Sequence, residues 1–422
     1  VSQNPARPTP PWYFLFLDLP FGAAVGYLSI AVPFFLQRQG LPLDRIAALS
    51  AAAFLPHALK ILWVPLLDLG SYKKLWYLGM ACATAALLVA VALVPDPAHH
   101  LGLYGGLLTA LQATATTGHA ANNALMAVTT RFEDKGKVGG FAMACNVGGT
   151  GLLGALGILL TEHASARAAG LALAAVTLAS AAVALGIVEP RHVDEAVARA
   201  GSLTRALGLH AWAMARDLGR TVVSREGFTG LLICLAPVGC QAMSNLFTGM
   251  AADYQASAEL VSAANGLGGG ISSAIGALLG GWLADRMSRR VAYAVAGGLT
   301  ALCAAAMAVA PLTPWTYAWG TFLYLFAGGL AFATWAGMVL ELVDLSAATA
   351  TKYALFNASA NLAISYVTRL DGEGAALGLR LGWGEARGAL VTDAVLTFAG
   401  IAFLLAMVAW VRRRTPAPAT AA

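Results

Sequence analysis

Residues 66–75 read LLDLGSYKKL and residues 282–291 read WLADRMSRRV. In both, an aspartate closes an apolar run and a basic pair follows: Asp68 with Lys73 and Lys74, Asp285 with Arg289 and Arg290. A second pair of stretches lies at nearly the same separation, GKVGGFAMACN at 136–146 and TKYALFNASAN at 351–361. There Lys137, Phe141 and Asn146 match Lys352, Phe356 and Asn361. Two independent matches at almost one offset predict a duplicated chain. Internal repeats of this kind mark membrane carriers whose solute site lies between the halves.

Composition agrees. The 422 residues are 59% hydrophobic and 11% charged, against about 25% charged in soluble domains, and the mean hydropathy is +0.70. A net charge of +5, gathered in loops, excludes nucleic acid as a partner. The N-terminal VSQNPARPTPP is read as a polar lead into the first span rather than a cleaved signal. Cys82, Cys145, Cys234, Cys240 and Cys303 fall in apolar runs without paired or metal-like spacing, so they are expected to pack as small hydrophobes, with no disulfide or metal site.

A membrane helix needs about 20 apolar residues. Twelve stretches qualify: 12–36, 44–69, 74–95, 101–130, 138–161, 167–188, 227–252, 258–284, 290–311, 315–343, 349–370 and 385–411. The fold class is therefore an all-α membrane protein, twelve transmembrane helices in two pseudo-symmetric six-helix bundles, 1–188 and 227–422. A hydrophilic linker, 189–226, divides them; within it 203–223 sets apolar residues at helical spacing among arginines, the pattern of an amphipathic helix on the inner membrane face. The termini, the linker and alternate loops hold 19 of the 26 lysines and arginines. By the positive-inside rule both termini face the cytoplasm of a cell inner membrane.

GGWLADRMSRR, residues 280–290, resembles the loop motif of the major facilitator superfamily, G-x-L-x-D-R-x-G-R-R/K, through Gly281, Leu283, Asp285, Arg286, Arg289 and Arg290; Ser288 replaces a glycine. The resemblance implies a gate, with Asp285 and its first-half counterpart Asp68 latching against helix ends or basic residues (Lys73, Lys74, Arg286, Arg289, Arg290) in one conformation. LKILWVPLLD, residues 59–68, resembles a segment of the AmpG-type muropeptide permeases and their acetyl-coenzyme A and siderophore transporting relatives, through Lys60, Leu62, Trp63, Pro65, Leu66 and Asp68. TATKYALFNASAN resembles that branch's eleventh-span opening. That branch carries acids after a fourth-span glutamine; here Gln112 is kept, but Ala113 and Thr117 stand in the acidic positions.

Ionisable groups within spans are costly and mark function by default. Asp18 and Lys60 lie at similar depth on consecutive spans, which predicts an ion pair lining the inner cavity. His57 is one turn from Lys60. His119, Asn122 and Asn123 form a polar face on the fourth span, with Trp335 as the repeat mate of His119 across the cavity. Gln241, Asn245, Thr248 and Tyr254 make a polar line along the seventh span. Asn146 and Asn361 are repeat mates suited to interhelical hydrogen bonds, and Arg369, Asp371 and Glu373 suit a surface network.

No glycine-rich loop ends in GK[ST], so no nucleotide, cofactor or ATP drive is expected. No loop gathers the acids and histidines an enzyme would need. The sequence thus predicts a secondary or facilitative transporter acting by alternating access as a monomer. Its partners are a medium-sized organic solute, coupling protons and membrane lipids. The alternatives are a proton-driven multidrug exporter and a siderophore- or muropeptide-type permease.

Overall fold

The computed structural model describes residues 8–64, 67, 73–131, 134–189, 203–342 and 349–414. Asp68 lies outside these residues, as do the side chains of Lys137, Asp285 and Lys352.

The first half holds α1 (Pro11–Arg38), α2 (Leu43–Leu59), α3 (Lys73–Ala92), α4 (Leu101–Thr129), α5 (Lys135–His163) and α6 (Ala166–Gly186). The linker contains α7 (Leu203–Val223), so the amphipathic stretch is helical. The second half holds α8 (Arg225–Leu235), α9 (Ala258–Asn265), α10 (Leu267–Arg286), α11 (Arg289–Val309), α12 (Pro314–Leu342), α13 (Thr349–Arg380) and α14 (Glu385–Arg414). Among the described residues nine helical stretches are long and apolar enough to cross a membrane. Helices α4 and α13, at 29 and 32 residues, are long enough to cross but are not among the nine.

The seventh stretch departs from the expectation of one helix. Proline disfavours the helical region for the residue before it and lacks an N–H. Ahead of Pro237, Ala236 accordingly turns extended (φ −66°, ψ 141°) and α8 stops at Leu235. Gly239 (φ +56°) and Gln241 (φ +59°) then take left-handed conformations, and the chain continues as short 3-10 turns over Ala242–Asn245 and Phe247–Met250. A Cβ on Gly239 would meet Ala331 Cβ at 2.8 Å, so both the backbone angle and the close approach of α12 require glycine there. The polar line expected at helical spacing is absent for this reason.

Two further differences concern helix ends. The stretch 349–370 continues as helix to Arg380, because Asp371, Glu373 and Arg380 are compatible with a helix although they lower its hydropathy. The first span is interrupted: Asp18 sits at a turn before Pro20, and a wide turn over Tyr27–Ala31 precedes Pro33. Prolines and wide turns of this kind bend helices.

Burial separates the two ends of the molecule, here called inner for the end that carries the linker and outer for the opposite one, after the expectation from the positive-inside rule. On the outer side one continuous core joins the halves, with Phe34, Leu43 and Ile46 from the first and Phe247, Tyr254, Tyr324 and Leu390 from the second. On the inner side the larger buried clusters stay within one half each, one around Phe14, Tyr77 and Leu125, the other around Ile233, Trp335 and Phe356. Bonds across the seam follow the same pattern. Glu385 Oε2 accepts from Leu43 N at 3.1 Å, Ser365 Oγ donates to Ala51 O at 2.6 Å, and His163 Nε2 lies 3.6 Å from Glu259 Oε1. The described contacts close the molecule at the end opposite the linker.

Candidate functional site

The polar side chains of the first half converge on the break in α1. Asp18, 1% exposed, lies where α1 interrupts its hydrogen bonding before Pro20. Its Oδ1 accepts from Asn122 Nδ2 and from His119 Nδ1, each at 2.9 Å, both on α4. Asn123 Nδ2 approaches the other ring nitrogen of His119 at 3.1 Å. Phe21 stacks on the His119 ring with centroids 4.5 Å apart and also flanks His57. His57 Nε2 contacts Gln112 Oε1 at 3.0 Å, and Gln112 Nε2 donates to Ala24 O at 2.8 Å. Asp18, His57, Gln112, His119, Asn122 and Asn123 thus form two linked hydrogen-bonded groups on α1, α2 and α4, joined by Phe21.

The predicted Asp18–Lys60 ion pair is not formed. Lys60 follows the last residue of α2 in a short 3-10 turn. Equal depth was the basis of the expectation, and depth does not fix azimuth. Lys60 has no hydrogen-bond or ion-pair partner among the described residues. Trp63, the residue that ends that turn, donates from Nε1 to Thr117 Oγ1 at 2.8 Å. Thr117, standing in one of the branch's acidic positions, is therefore a structural acceptor here.

Other candidates are placed differently. Trp335 is buried in the inner core of the second half, beside Phe332, so it does not face His119 across a cavity. Asn245, Thr248 and Tyr254 are buried in packing, with Asn245 Nδ2 donating to Thr368 Oγ1 at 3.2 Å. Gln241 packs against Gly328 on α12. Asn361 Nδ2 donates to Asn357 Oδ1 at 2.6 Å within its own helix. Of the expected surface network, Arg369 pairs with Glu373, but Asp371 is completely buried.

At the inner face, Glu189 accepts from the backbone N–H groups of Lys73 and Lys74 at 3.0 Å each, capping α3. Lys74 Nζ donates to Leu185 O and Ile187 O at 2.9 Å, which ties it to its own half. In the second half Arg286 stacks over Trp282 at 4.1 Å, Arg289 Nη1 donates to Gly337 O at 3.3 Å, Arg290 is partly buried and Gly281 faces open space.

A cleft of about 680 Å³ lies at the outer end of the first half, bordered by Tyr27, Phe34, Arg38 and Glu162. Its carboxylates are solvent-exposed, Glu162 being paired with Arg38, whereas the polar groups on α1, α2 and α4 enclose the buried Asp18, so these are the better candidate. Among the described residues no group of three or more His, Cys, Asp or Glu side chains is arranged to hold a metal.

Three solved structures share the fold. The chain is similar to the nucleoside transporter NupG, in a mutant form, at a TM-score of 0.68 and 15% identity, with 94% of this chain and 98% of that one covered. It is similar to a D-xylose–proton symporter at 0.68 and 13%, covering 94% and 96%. A bacterial homolog of the human lysosomal transporter Spinster, in an inward-facing and occupied conformation, gives 0.65 and 12%, covering 96% and 98%. No curated protein sequence matches the chain. Residues 7–368 match the family pattern of the Major Facilitator Superfamily, and with that match spanning most of its length the chain belongs to this superfamily of solute transporters.

Proposed function

We propose that the chain is a proton-coupled carrier of a medium-sized organic solute, working by alternating access as a monomer in a cell inner membrane with both termini cytoplasmic. The observation that carries the coupling is the buried Asp18 carboxylate, whose one titratable hydrogen-bond partner among the described residues is His119 at 2.9 Å. A buried charge requires a counter-charge or a proton, and an imidazole changes charge near neutral pH.

The arrangement gives that proton a mechanical consequence. With His119 neutral, Nδ1–H donates to Asp18 and Nε2 accepts from Asn123 Nδ2. A proton on Nε2 would face that amide's N–H groups, so the Asn123 side chain must turn to offer its oxygen instead. Asn123 is exposed, and its reorientation changes what a bound solute meets. Lys60 supports a second element of this reading: an unpartnered ammonium at the end of α2 suits a carboxylate or phosphate on the solute. The similarity to AmpG-type permeases, which rests on two short segments, fits such a solute.

The test is binding and flux. The purified protein is screened by thermal shift against muropeptides, siderophores, coenzyme A thioesters, nucleosides, sugars and lipophilic cations, and the ligand found is followed in liposomes with and without a proton gradient. Uptake driven by the gradient, with solute exchange surviving in Asp18→Asn while net uptake is lost, is the expected result. Net uptake that ignores both the gradient and the substitution would rule the coupling out.

A further inference from the structure

The second half contains a buried acidic pair that the site on α1, α2 and α4 does not use. Asp371 on α13 is fully buried and Asp393 on α14 is 1% exposed. Neither oxygen of Asp371 has a hydrogen-bond partner, nor does Asp393 Oδ1; Asp393 Oδ2 accepts from Tyr324 on α12 at 3.1 Å. The helix pairing brings the two together. Gly374 and Gly388 press α13 and α14 into contact, since a Cβ on Gly388 would fall 2.2 Å from Gly374 O and one on Gly374 would fall 2.0 Å from Thr392 Oγ1. In that antiparallel register residues 371 and 393 stand at about the same level, and the carboxylates lie close enough to repel when both are charged. Such acids have no first-half counterpart: at the separation relating His119 to Trp335 they fall on Ala155 and Thr177.

Among the described residues the surroundings hold no cation that could neutralise them. Facing the pair are Tyr324 from α12 and Cys240 from the break after α8. On their own helices Arg369 is paired with Glu373 and reaches Asp44 O, and Arg387 lies beside Tyr254 at the outer end. From α11, Tyr293 donates to Val238 O and its arginines sit at the inner end. From α2 the nearest ionisable group is Asp44, whose backbone abuts Gly372. Two enclosed carboxylates without a cation cannot both ionise at acceptable cost. Two acids and one phenol are also too few oxygens for the usual hard-cation site.

We propose that Asp371 and Asp393 form a second proton-binding site, holding one proton between them while the outer face is closed. Its route to solvent is the outer seam. Asp371 precedes Gly372, and Gly372 packs on Asp44 and Ala47 of α2. Parting α13 from α2 wets Asp371, lets the carboxylic acid release its proton to outer water and leaves a hydrated carboxylate. Closure then requires a proton to return.

Infrared spectroscopy of the full chain in lipid, titrated between about pH 5 and 9, tests this directly. A protonated-carboxyl C=O band is expected at neutral pH, lost in Asp371→Asn and in Asp393→Asn, and retained at a shifted position in Asp371→Glu. The Glu variant separates loss of the group from misfolding. In D₂O the band should shift slowly in the wild type and faster in Gly372→Leu, which props the seam open. A band that neither Asn substitution removes, or that sodium displaces at constant pH, overturns the site. Equal exchange rates overturn the outer route. None of these readings depends on His119, so the coupling site in the first half stands or falls separately.

Discussion

His119 Nδ1 lies 2.9 Å from Asp18 Oδ1, a contact between helices α4 and α1 that links a titratable ring to the hinge of the first span. His119→Gln keeps a hydrogen-bond donor near Asp18 but removes the ring that takes up the proton in this reading. Net solute uptake across a proton gradient should fall at least about tenfold, equivalent to ~1.4 kcal/mol in the barrier. Solute exchange at zero gradient should persist. Parallel loss of exchange and uptake would assign His119 to solute binding instead.

Gln112 bridges two helices by accepting from His57 and donating to Ala24 O. Gln112→Leu leaves the His57 ring nitrogen buried and unpaired, while Ala24 O keeps its bond from Tyr27 N, a cost of about 1–3 kcal/mol that should appear as a lower unfolding temperature in detergent. Adding His57→Phe removes that orphaned group, so the double variant should recover part of the loss. Strict additivity in that cycle would show that the bond contributes nothing.

The capping of α3 by Glu189 predicts a local effect. Glu189→Ala exposes the first N–H groups of α3, and caps of this type contribute about 0.5–2 kcal/mol. Hydrogen exchange should accelerate at the amides of Lys73 and Lys74 while that of α4 is unchanged. Glu189→Gln, which keeps an acceptor but loses the charge, should fall between.

Much of this architecture was legible in the residues themselves. Hydropathy located the long helices because a lipid-facing helix must be apolar along its length. The break after Leu235 was missed because hydropathy carries no information about backbone angles; Pro237 with Gly239 two residues on was the available signal. His119, Asn122 and Asn123 were grouped correctly by helical spacing. Their partner was not, since Asp18 was matched to Lys60 by depth alone. Asp393 escaped notice because one acid among the apolar residues of LVTDAVLTF barely changes a window average. Its significance comes from Asp371, which only the fold brings near.

Gly372 offers the sharpest test of the closed outer face. A Cβ there would stand 2.3 Å from Ala47 Cβ and 3.1 Å from Asp44 Cα, and the second of these is backbone that cannot swing aside. Gly372→Leu therefore forces α13 away from α2. The outer core that joins the halves is a shared apolar surface, and losing its contacts favours the alternative, outward-open state over the closed one. A cysteine placed at Ala51, buried at the seam, should react with a membrane-impermeant thiol reagent added outside several-fold faster in Gly372→Leu than in the parent. Adding the transported solute should slow it again if solute binding favours closure. An unchanged rate would mean that the seam between α2 and α13 is not the outer gate.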